Sequence, residues 1–217
     1  MTAGIPDLVT PPRRVASGVG GLPFAAEPGR VVGLVGGLGG GLTRLGLLLL
    51  VEPSRTGMVA VVDVRGWFCP PAAWEVGIPP DRLVVVRCQD PAVWPQVTAA
   101  LVEGMGATLA EVPAGVPDAA LRRLGAITRA RRAALVLRPT RGTLPAGLTH
   151  VRVSADDVAW EGTDAGHGRL TARRIRLRAD GKGMRGMERI VEVDDDGTNV
   201  VPVVPGLAPA PAGRAAG

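Results

Sequence analysis

The sequence predicts an α/β fold in which a mostly parallel central sheet is flanked by helices and followed by an antiparallel β meander. Three observations lead to this prediction. From Arg30 onwards short β-rich runs alternate with helical stretches, and the first five runs are apolar throughout, as strands buried on both faces are. The last three runs have no helix between them and are joined by Gly- and Asp-rich connectors typical of hairpins. A glycine-rich segment joins the first strand to the first helix.

The chain divides into an irregular lead-in over residues 1–29, a folded core over 30–200 and a tail over 201–217. We expect the tail to be disordered, because its Pro-, Ala- and Gly-rich composition buries too little apolar surface to offset its conformational entropy. The predicted strands are Val31–Val35, Met58–Asp63, Leu83–Arg87, Thr108–Val112, Ala134–Leu137, His150–Ser154, Leu170–Arg178 and Arg189–Val193. The predicted helices are Thr43–Glu52, Pro70–Glu75, Ala92–Met105 and Asp118–Ala130.

The composition of the chain is that of a globular protein and gives no sign of a metal site or a membrane segment. An apolar content of 46% and a length of 217 residues predict one globular domain, in which Val, Leu and Ala fill the core because aromatic residues make up only 3%. The net charge of +5 is compatible with an acidic partner such as nucleic acid without requiring one. Cys69 and Cys88 fit no metal-ligand spacing, so we expect no metal site. The sequence shows neither a signal peptide nor a membrane-spanning run, and we expect a cytoplasmic protein.

The glycine-rich segment resembles a phosphate-binding loop that has lost its lysine. Gly36, Gly41 and Thr43 fit the pattern G-x-x-x-x-G-K-[ST], but Leu42 occupies the lysine position. In a working loop the lysine reaches the β- and γ-phosphates and the hydroxyl holds magnesium. We therefore expect Gly36, Gly41 and Thr43 to be vestigial cofactor-binding residues, with ATP binding weak or lost. The alternative is a strand-to-helix turn that never bound a nucleotide.

The order of motifs resembles the RecA core, and within that superfamily the chain is similar to the ImuA family, the RecA-like accessory proteins of bacterial mutagenic DNA repair. The resemblance runs from about Val15 to Val193. It implies a RecA-like P-loop core. The segments that carry it are the glycine-rich loop and its lead-in (18–45), the strand and turn that hold the catalytic glutamate in RecA (61–70), Trp74–Ile78, Arg82–Val86, Val151–Val153 and the basic hairpin Arg173–Met187.

The departures from RecA predict that the protein is not an enzyme. Arg65 stands where RecA has its catalytic glutamate, and a permanent cation cannot act as a base. Glu111 takes the place of a magnesium-associated aspartate; it either retains a metal-binding role or simply faces solvent at the end of its strand. The loops that bind DNA in RecA are short here, at Val112–Pro117 and about Arg138–Leu148.

The resemblance implies a function in DNA damage-induced mutagenesis. An ImuA-type protein is a non-catalytic member of an SOS-induced translesion synthesis complex, with an ImuB-like protein and an error-prone DnaE-type polymerase as partners, RecA as a further candidate partner, and DNA contacted directly or through the complex. The alternative is a weak RecA-class, nucleotide-dependent, DNA-binding ATPase. Another relative of the same fold, a cell-division inhibitor, is a rival within the superfamily.

Two clusters of basic residues are candidates for contact with nucleic acid. One lies on a predicted helix and the strand after it, at Arg122, Arg123, Arg129, Arg131, Arg132, Arg138 and Arg141. The other lies on the last hairpin, where alternation places Arg174, Arg176 and Arg178 on one face, opposite Ile175 and Leu177, with Lys182 and Arg185 following. Such a row could neutralise phosphates, or it could be a solvated charged face that prevents aggregation.

Overall fold

The computed structural model of the protein describes residues 22–162, 168–185, 187–195 and 200–202. Its strands are β1 (Val31–Val35), β2 (Val59–Asp63), β3 (Leu83–Arg87), β4 (Ala107–Val112), β5 (Ala134–Pro139), β6 (Val151–Glu161), β7 (Ala172–Asp180), β8 (Arg189–Asp195) and β9 (Val200–Pro202). Its helices are α1 (Leu42–Ser54), α2 (Pro70–Glu75), α3 (Trp94–Gly104) and α4 (Asp118–Arg131).

All nine strands form one sheet, in the order β3-β2-β4-β5-β1-β6-β7-β8-β9. The strands from β3 to β6 in this order are parallel, and β6, β7, β8 and β9 are joined by antiparallel pairing. The predicted parallel sheet with a C-terminal antiparallel meander is therefore confirmed. In this order β1 lies at the centre of the sheet, where Val32 pairs with both Val136 and Val151.

Helices cover both faces of the parallel part. Side chains of α1 and α2 pack with Val61 and Val153 in one buried cluster, whereas Trp94 of α3 and Leu124 of α4 pack with Leu137 in another. Burial on both faces explains why the sequence of these strands is continuously apolar instead of alternating. The first cluster also contains Phe24, so part of the irregular lead-in packs onto the core.

Glycine brings α1 close to the sheet. The helix begins after Gly41, whose φ of 70° is left-handed, and a Cβ there would lie 2.6 Å from Ile175 Cδ1. At Gly46, within the helix, a Cβ would lie 2.9 Å from Leu109 Cδ1. A side chain at either position would force these terminal methyl groups to move, so both glycines allow the close packing of α1 against the sheet.

The meander follows the alternating pattern expected from its sequence. In β7, Ile175, Leu177 and Ala179 are buried, while Arg174, Arg176 and Arg178 are exposed on the opposite face. This confirms the predicted sidedness of β7.

The structure extends the meander beyond the prediction at two places. β6 continues to Glu161 instead of ending at Ser154, with a register irregularity between Ala155 and Asp157. β9 adds a short strand whose residues 201–202 belong to the predicted tail. The remainder of that tail, residues 1–21 of the lead-in and Gly186 lie outside the described residues. No helix in the described part of the chain has the length and apolar character needed to cross a membrane.

Candidate functional site

The candidate site lies where the carboxyl ends of β1, β2, β4 and β5 meet. In open α/β sheets this edge is where ligands bind. The glycine-rich loop over residues 36–41 connects β1 to α1 at this edge, beside a cavity of about 200 Å³. The cavity is lined by Leu38, Gly39, Thr43, Val61, Asp63, Arg65, Trp67, Phe68, Leu109, Glu111 and Arg138.

The three predicted phosphate-binding residues lie in the glycine-rich loop and at the start of α1. Gly41 precedes α1, Thr43 lines the cavity, and Gly36 lies at the start of the loop. Leu42 is 1% exposed and belongs to the core beneath the loop; a Cβ at Gly36 would lie 2.9 Å from its Cδ1. Position 42, where a phosphate-binding loop has its lysine, is therefore a packing position.

Glu111 is enclosed by donors from three directions. Its Oε1 accepts hydrogen bonds from Arg138 Nη1 at 3.0 Å and from the guanidinium of Arg65, whose Nε lies at 3.1 Å. Its Oε2 accepts from the backbone N–H groups of Val64 at 3.2 Å and Arg65 at 3.4 Å. With 8% of its surface exposed, Glu111 does not face solvent, so that expectation was wrong. The carboxylate ties β4 to β5 and to the turn after β2.

Asp63 holds the turn that follows β2. It is 1% exposed, and it accepts hydrogen bonds from the backbone N–H groups of Gly66 at 2.8 Å, Trp67 at 3.3 Å and Phe68 at 3.1 Å. Arg87 Nε lies 3.7 Å from Asp63 Oδ2. Both carboxylates of the cavity wall are thus occupied by protein donors. Among the described residues no group of three or more His, Cys, Asp or Glu side chains is arranged to hold a metal ion.

Arg65 lines the cavity beside an aromatic side chain. Its guanidinium carbon lies 4.8 Å from the centre of the Trp67 ring while the group remains paired with Glu111. Trp67 is 68% exposed, and Leu38 on the loop, which lines the same cavity, is 71% exposed. We call these two exposed apolar side chains the cavity mouth; the guanidinium of Arg65 beside Trp67 is already paired with Glu111.

Two further arginines stand beside the glycine-rich loop, and the sequence did not place them there. Arg138 lines both this cavity and a second one of about 320 Å³, which shares Gly39 and Thr43 with the first and which Arg173 also lines. Arg173 Nη1 lies 3.5 Å from the carbonyl oxygen of Gly39, and its Nε and Nη2 donate to Asp195 Oδ2 at 2.9 and 2.5 Å. Burial and the neighbouring Arg65 lower the pKa of Arg138, against the opposing effect of Glu111. The available signal was that Arg138 directly follows the predicted strand Ala134–Leu137, but the strand order was needed to place its side chain beside the loop.

Acidic side chains accompany the predicted nucleic-acid candidates on the hairpin. Arg174 Nε donates to Asp194 at 2.8 Å, and Arg178 binds Asp156 at 2.8 Å and Glu188 at 3.2 Å. The hydrogen bond from Arg178 lowers the pKa of Asp156. Arg176 stands in register between Asp157 and Glu192, and Lys182 and Arg185 lie in and just after a short 3-10 helix. The positive charges of Arg174 and Arg178 are thus balanced within the meander.

Comparison with known proteins gives a match to a family model. No curated protein matches the chain. Residues 23–143 match the family model for the MT3502 N-terminal domain. The matched region contains β1 to β5, all four helices and every residue of the cavity wall, and it ends before β6. Because the match covers more than half of its length, the chain belongs to the family of the MT3502 N-terminal domain.

Proposed function

We propose that this protein is a non-catalytic accessory protein with a RecA-like core, which acts by binding partners in a complex for translesion synthesis. The observation that carries the proposal is the occupation of Glu111 by Arg65 and Arg138. Glu111 lies at the carboxyl edge of the sheet, where a nucleotide-hydrolysing site would need free carboxylates. The ImuA-like resemblance supplies the biological setting, an SOS-induced complex with an ImuB-like protein and an error-prone DnaE-type polymerase.

Phosphoryl transfer requires groups that this cavity does not offer. A metal ion must be held by oxygen ligands, a residue must orient or deprotonate the attacking water, and a cation must stabilise the phosphates. Asp63 and Glu111 are saturated by backbone and guanidinium donors. Arg65 cannot serve as a base. Leu42 is part of the core instead of reaching over the loop.

The cavity mouth suits a protein partner better than a nucleotide. Trp67 and Leu38 are among the most exposed large apolar side chains of the described chain, and both border the same cavity. Exposed tryptophan near arginine is a frequent source of binding energy at protein interfaces. An apolar side chain of the partner inserted between Trp67 and Leu38 would cover both, so we assign the partner-binding role to this mouth.

Binding of the purified chain to the ImuB-like protein tests this proposal by isothermal titration calorimetry. Trp67→Ala should weaken binding by about 2 kcal/mol, roughly thirty-fold, as expected for the loss of an interface anchor. Trp160→Ala is the matched control, because Trp160 is also an exposed tryptophan beside an arginine, Arg173, but lies on the meander. Equal effects of the two substitutions, or no association of the native proteins, would refute the assignment.

A weak RecA-class nucleotide-dependent ATPase that binds DNA is the second candidate. One observation favours it: Arg138 and Arg173 flank the glycine-rich loop and supply cations near the place of the missing lysine. Arginines can stabilise phosphate charge in this way. Under this hypothesis a fluorescent ATP analogue binds the native chain, and Arg138→Gln abolishes binding. Under the first hypothesis, Trp67→Ala weakens binding to the ImuB-like protein, and the native chain does not hydrolyse ATP.

A further inference from the structure

The outward face of α4 is built from arginine and alanine. The buried side of this helix consists of Leu121, Leu124, Gly125 and Thr128, which pack towards the sheet. After Asp118, the exposed positions of the helix are Ala119, Arg122, Arg123, Ala126, Arg129, Ala130 and Arg131. The small alanine side chains between the arginines allow a wide partner to approach the helix closely, and the guanidinium groups can then contact that partner.

Arginines on this face lack the acidic partners seen on the hairpin. Within the described part of the chain, no ion pair includes Arg122, Arg123 or Arg129. Among the described residues, the side chain of Arg122 donates to the carbonyl oxygen of Ala146, at 3.3 Å. Arg131, on the side of the helix towards α3, is instead paired with Glu103 at 3.1 Å. The outward cations therefore remain available to an external anion.

Further basic residues extend the patch at the C-terminal end of α4. Arg132 follows the helix, and the backbone N–H of Gly29 donates to Ala133 at 2.7 Å, which brings exposed Arg30 to the same end. The acidic residues near the patch are Asp118 in the first turn of α4 and Glu27 beside Arg30. We call this surface the α4 basic face; it comprises Arg30, Arg122, Arg123, Arg129 and Arg132.

We propose that the α4 basic face binds the phosphate backbone of duplex nucleic acid. From Arg122 to Arg129 the helix rises about 10 Å, a length over which a duplex carries about six phosphate charges. The planar guanidinium group matches phosphate oxygens in a two-pronged geometry. This surface is separate from the cavity mouth, because no residue of α4 lines the cavity and α4 packs on the face of the sheet opposite to α1.

The composition of the face favours a duplex over other acidic partners. The exposed large apolar residues of the described chain are Leu38, Trp67, Val93, Trp160, Leu170, Met187 and Ile190, and none lies on α4. Protein interfaces draw most of their energy from such anchors. Single-stranded nucleic acid would call for aromatic side chains on which bases stack. A row of cations without either feature fits sequence-independent contact with a double-stranded backbone.

Helix electrostatics account for only part of this arrangement. Cations in the last turn of a helix complement its dipole, which explains Arg129 and Arg131. Arg122 and Arg123 lie in the second turn of α4, outside the last turn in which the dipole favours positive charge, so the dipole does not account for them. Their presence there, exposed and without acidic partners, indicates a role outside the helix.

Fluorescence anisotropy of a labelled DNA duplex, titrated with the full chain at several salt concentrations, tests the proposal. The test variant is Arg123→Gln with Arg129→Gln, and the matched control is Arg174→Gln with Arg178→Gln. Each variant removes two positive charges at exposed positions, so a nonspecific effect of net charge is the same in both. Arg122 is kept because it supports the loop at Ala146.

The test variant should reduce the slope of log K against log salt by about 1.8, the value for two lost phosphate contacts, and the control should leave the slope unchanged. Arg123→Lys with Arg129→Lys should keep the native slope, because the slope depends on the number of phosphates neutralised, whereas the two-pronged geometry of arginine contributes to the affinity itself. Equal flattening in test and control would overturn the proposal. Absence of duplex binding at low salt would also overturn it. If the chain then binds labelled polyglutamate instead, the face belongs to an acidic protein partner.

Discussion

Arg138 donates through Nη1 to Oε1 of Glu111 at 3.0 Å, between the neighbouring parallel strands β5 and β4. The two side chains stand opposite each other in the strand register, and both are nearly covered, at 7% and 11% side-chain exposure. A buried pair of this kind gains little net stability, because desolvation of the charges offsets their attraction. It nevertheless makes each partner costly to remove, since the other is left buried and uncompensated.

Substitution of Glu111 should therefore destabilise the fold strongly. Glu111→Ala leaves Arg138 and Arg65 facing each other without a carboxylate, and we expect a loss of about 3–5 kcal/mol in the free energy of unfolding. Urea denaturation followed by circular dichroism measures the loss. Glu103→Ala is the control, because Glu103 pairs with Arg131 at the surface and should contribute less than about 1 kcal/mol. Similar losses of unfolding free energy for Glu111→Ala and Glu103→Ala would contradict the view that Glu111 forms a buried ion pair.

The native chain should not hydrolyse ATP, and Leu42→Lys should not restore turnover. The substitution supplies the missing cation but leaves Arg65 in place of a base and Glu111 occupied. Because Leu42 is 1% exposed, a lysine there also has to leave the core or be buried as a charge, so the variant should be less stable than the native protein. Phosphate release with magnesium-ATP is the measurement. Robust DNA-stimulated hydrolysis by the native chain would falsify the non-catalytic assignment.

Asp63 should be required as a carboxylate and not merely as a hydrogen-bond acceptor. In Asp63→Asn one oxygen can still accept from Gly66 and Trp67, but an amide group then faces the N–H of Phe68. The unsatisfied donors should cost about 1–3 kcal/mol. Asp90→Asn provides the comparison, because exposed Asp90 uses a single oxygen, Oδ1, to accept from Ala92. Thermal denaturation should separate the two variants, and an unchanged melting temperature for Asp63→Asn would contradict the turn-holding role.

Local patterns in the sequence were sufficient to predict the elements of the parallel sheet. Fully buried strands read as continuous apolar runs, and the glycines of residues 36–41 mark the turn into α1. The second half of β6 was missed because Asp156 and Asp157 interrupt its apolar pattern, at the register irregularity. β9 is too short, at three residues, to give a recognisable pattern.

The candidate site was predictable only in part, because it depends on strand order. Glu111 and Arg138 belong to successive strands, and a sequence alone does not say that their ends are adjacent. Arg173 reaches the loop carbonyl of Gly39 from β7, far along the chain. Charge pairing on the hairpin was likewise hidden, since Arg174 and Asp194 meet only through the register of β7 with β8. Long-range pairing of this kind is set by topology, which residue patterns do not encode.

Alanine substitutions in the glycine-rich loop should separate backbone strain from close packing. Gly37 has open space and no left-handed φ, so Gly37→Ala should be nearly neutral. Gly39 also has open space but a φ of 83°, so Gly39→Ala should cost about 1–2 kcal/mol through the left-handed backbone alone. Gly41 combines a φ of 70° with a Cβ position 2.6 Å from Ile175 Cδ1, and Gly41→Ala should be the most destabilising of the three.

This order of stabilities tests whether the loop is held by the meander. Only at Gly41 does a methyl group press against β7, so the additional loss beyond that at Gly39 measures the contact between the loop and Ile175. Ile175→Val shortens the side chain at its Cδ1 and should recover part of the loss in the Gly41→Ala background, a coupling that a double-mutant cycle measures. Equal unfolding free energies for Gly39→Ala and Gly41→Ala would mean that the loop does not rest on β7, and that its position beside Arg173 is not fixed by packing.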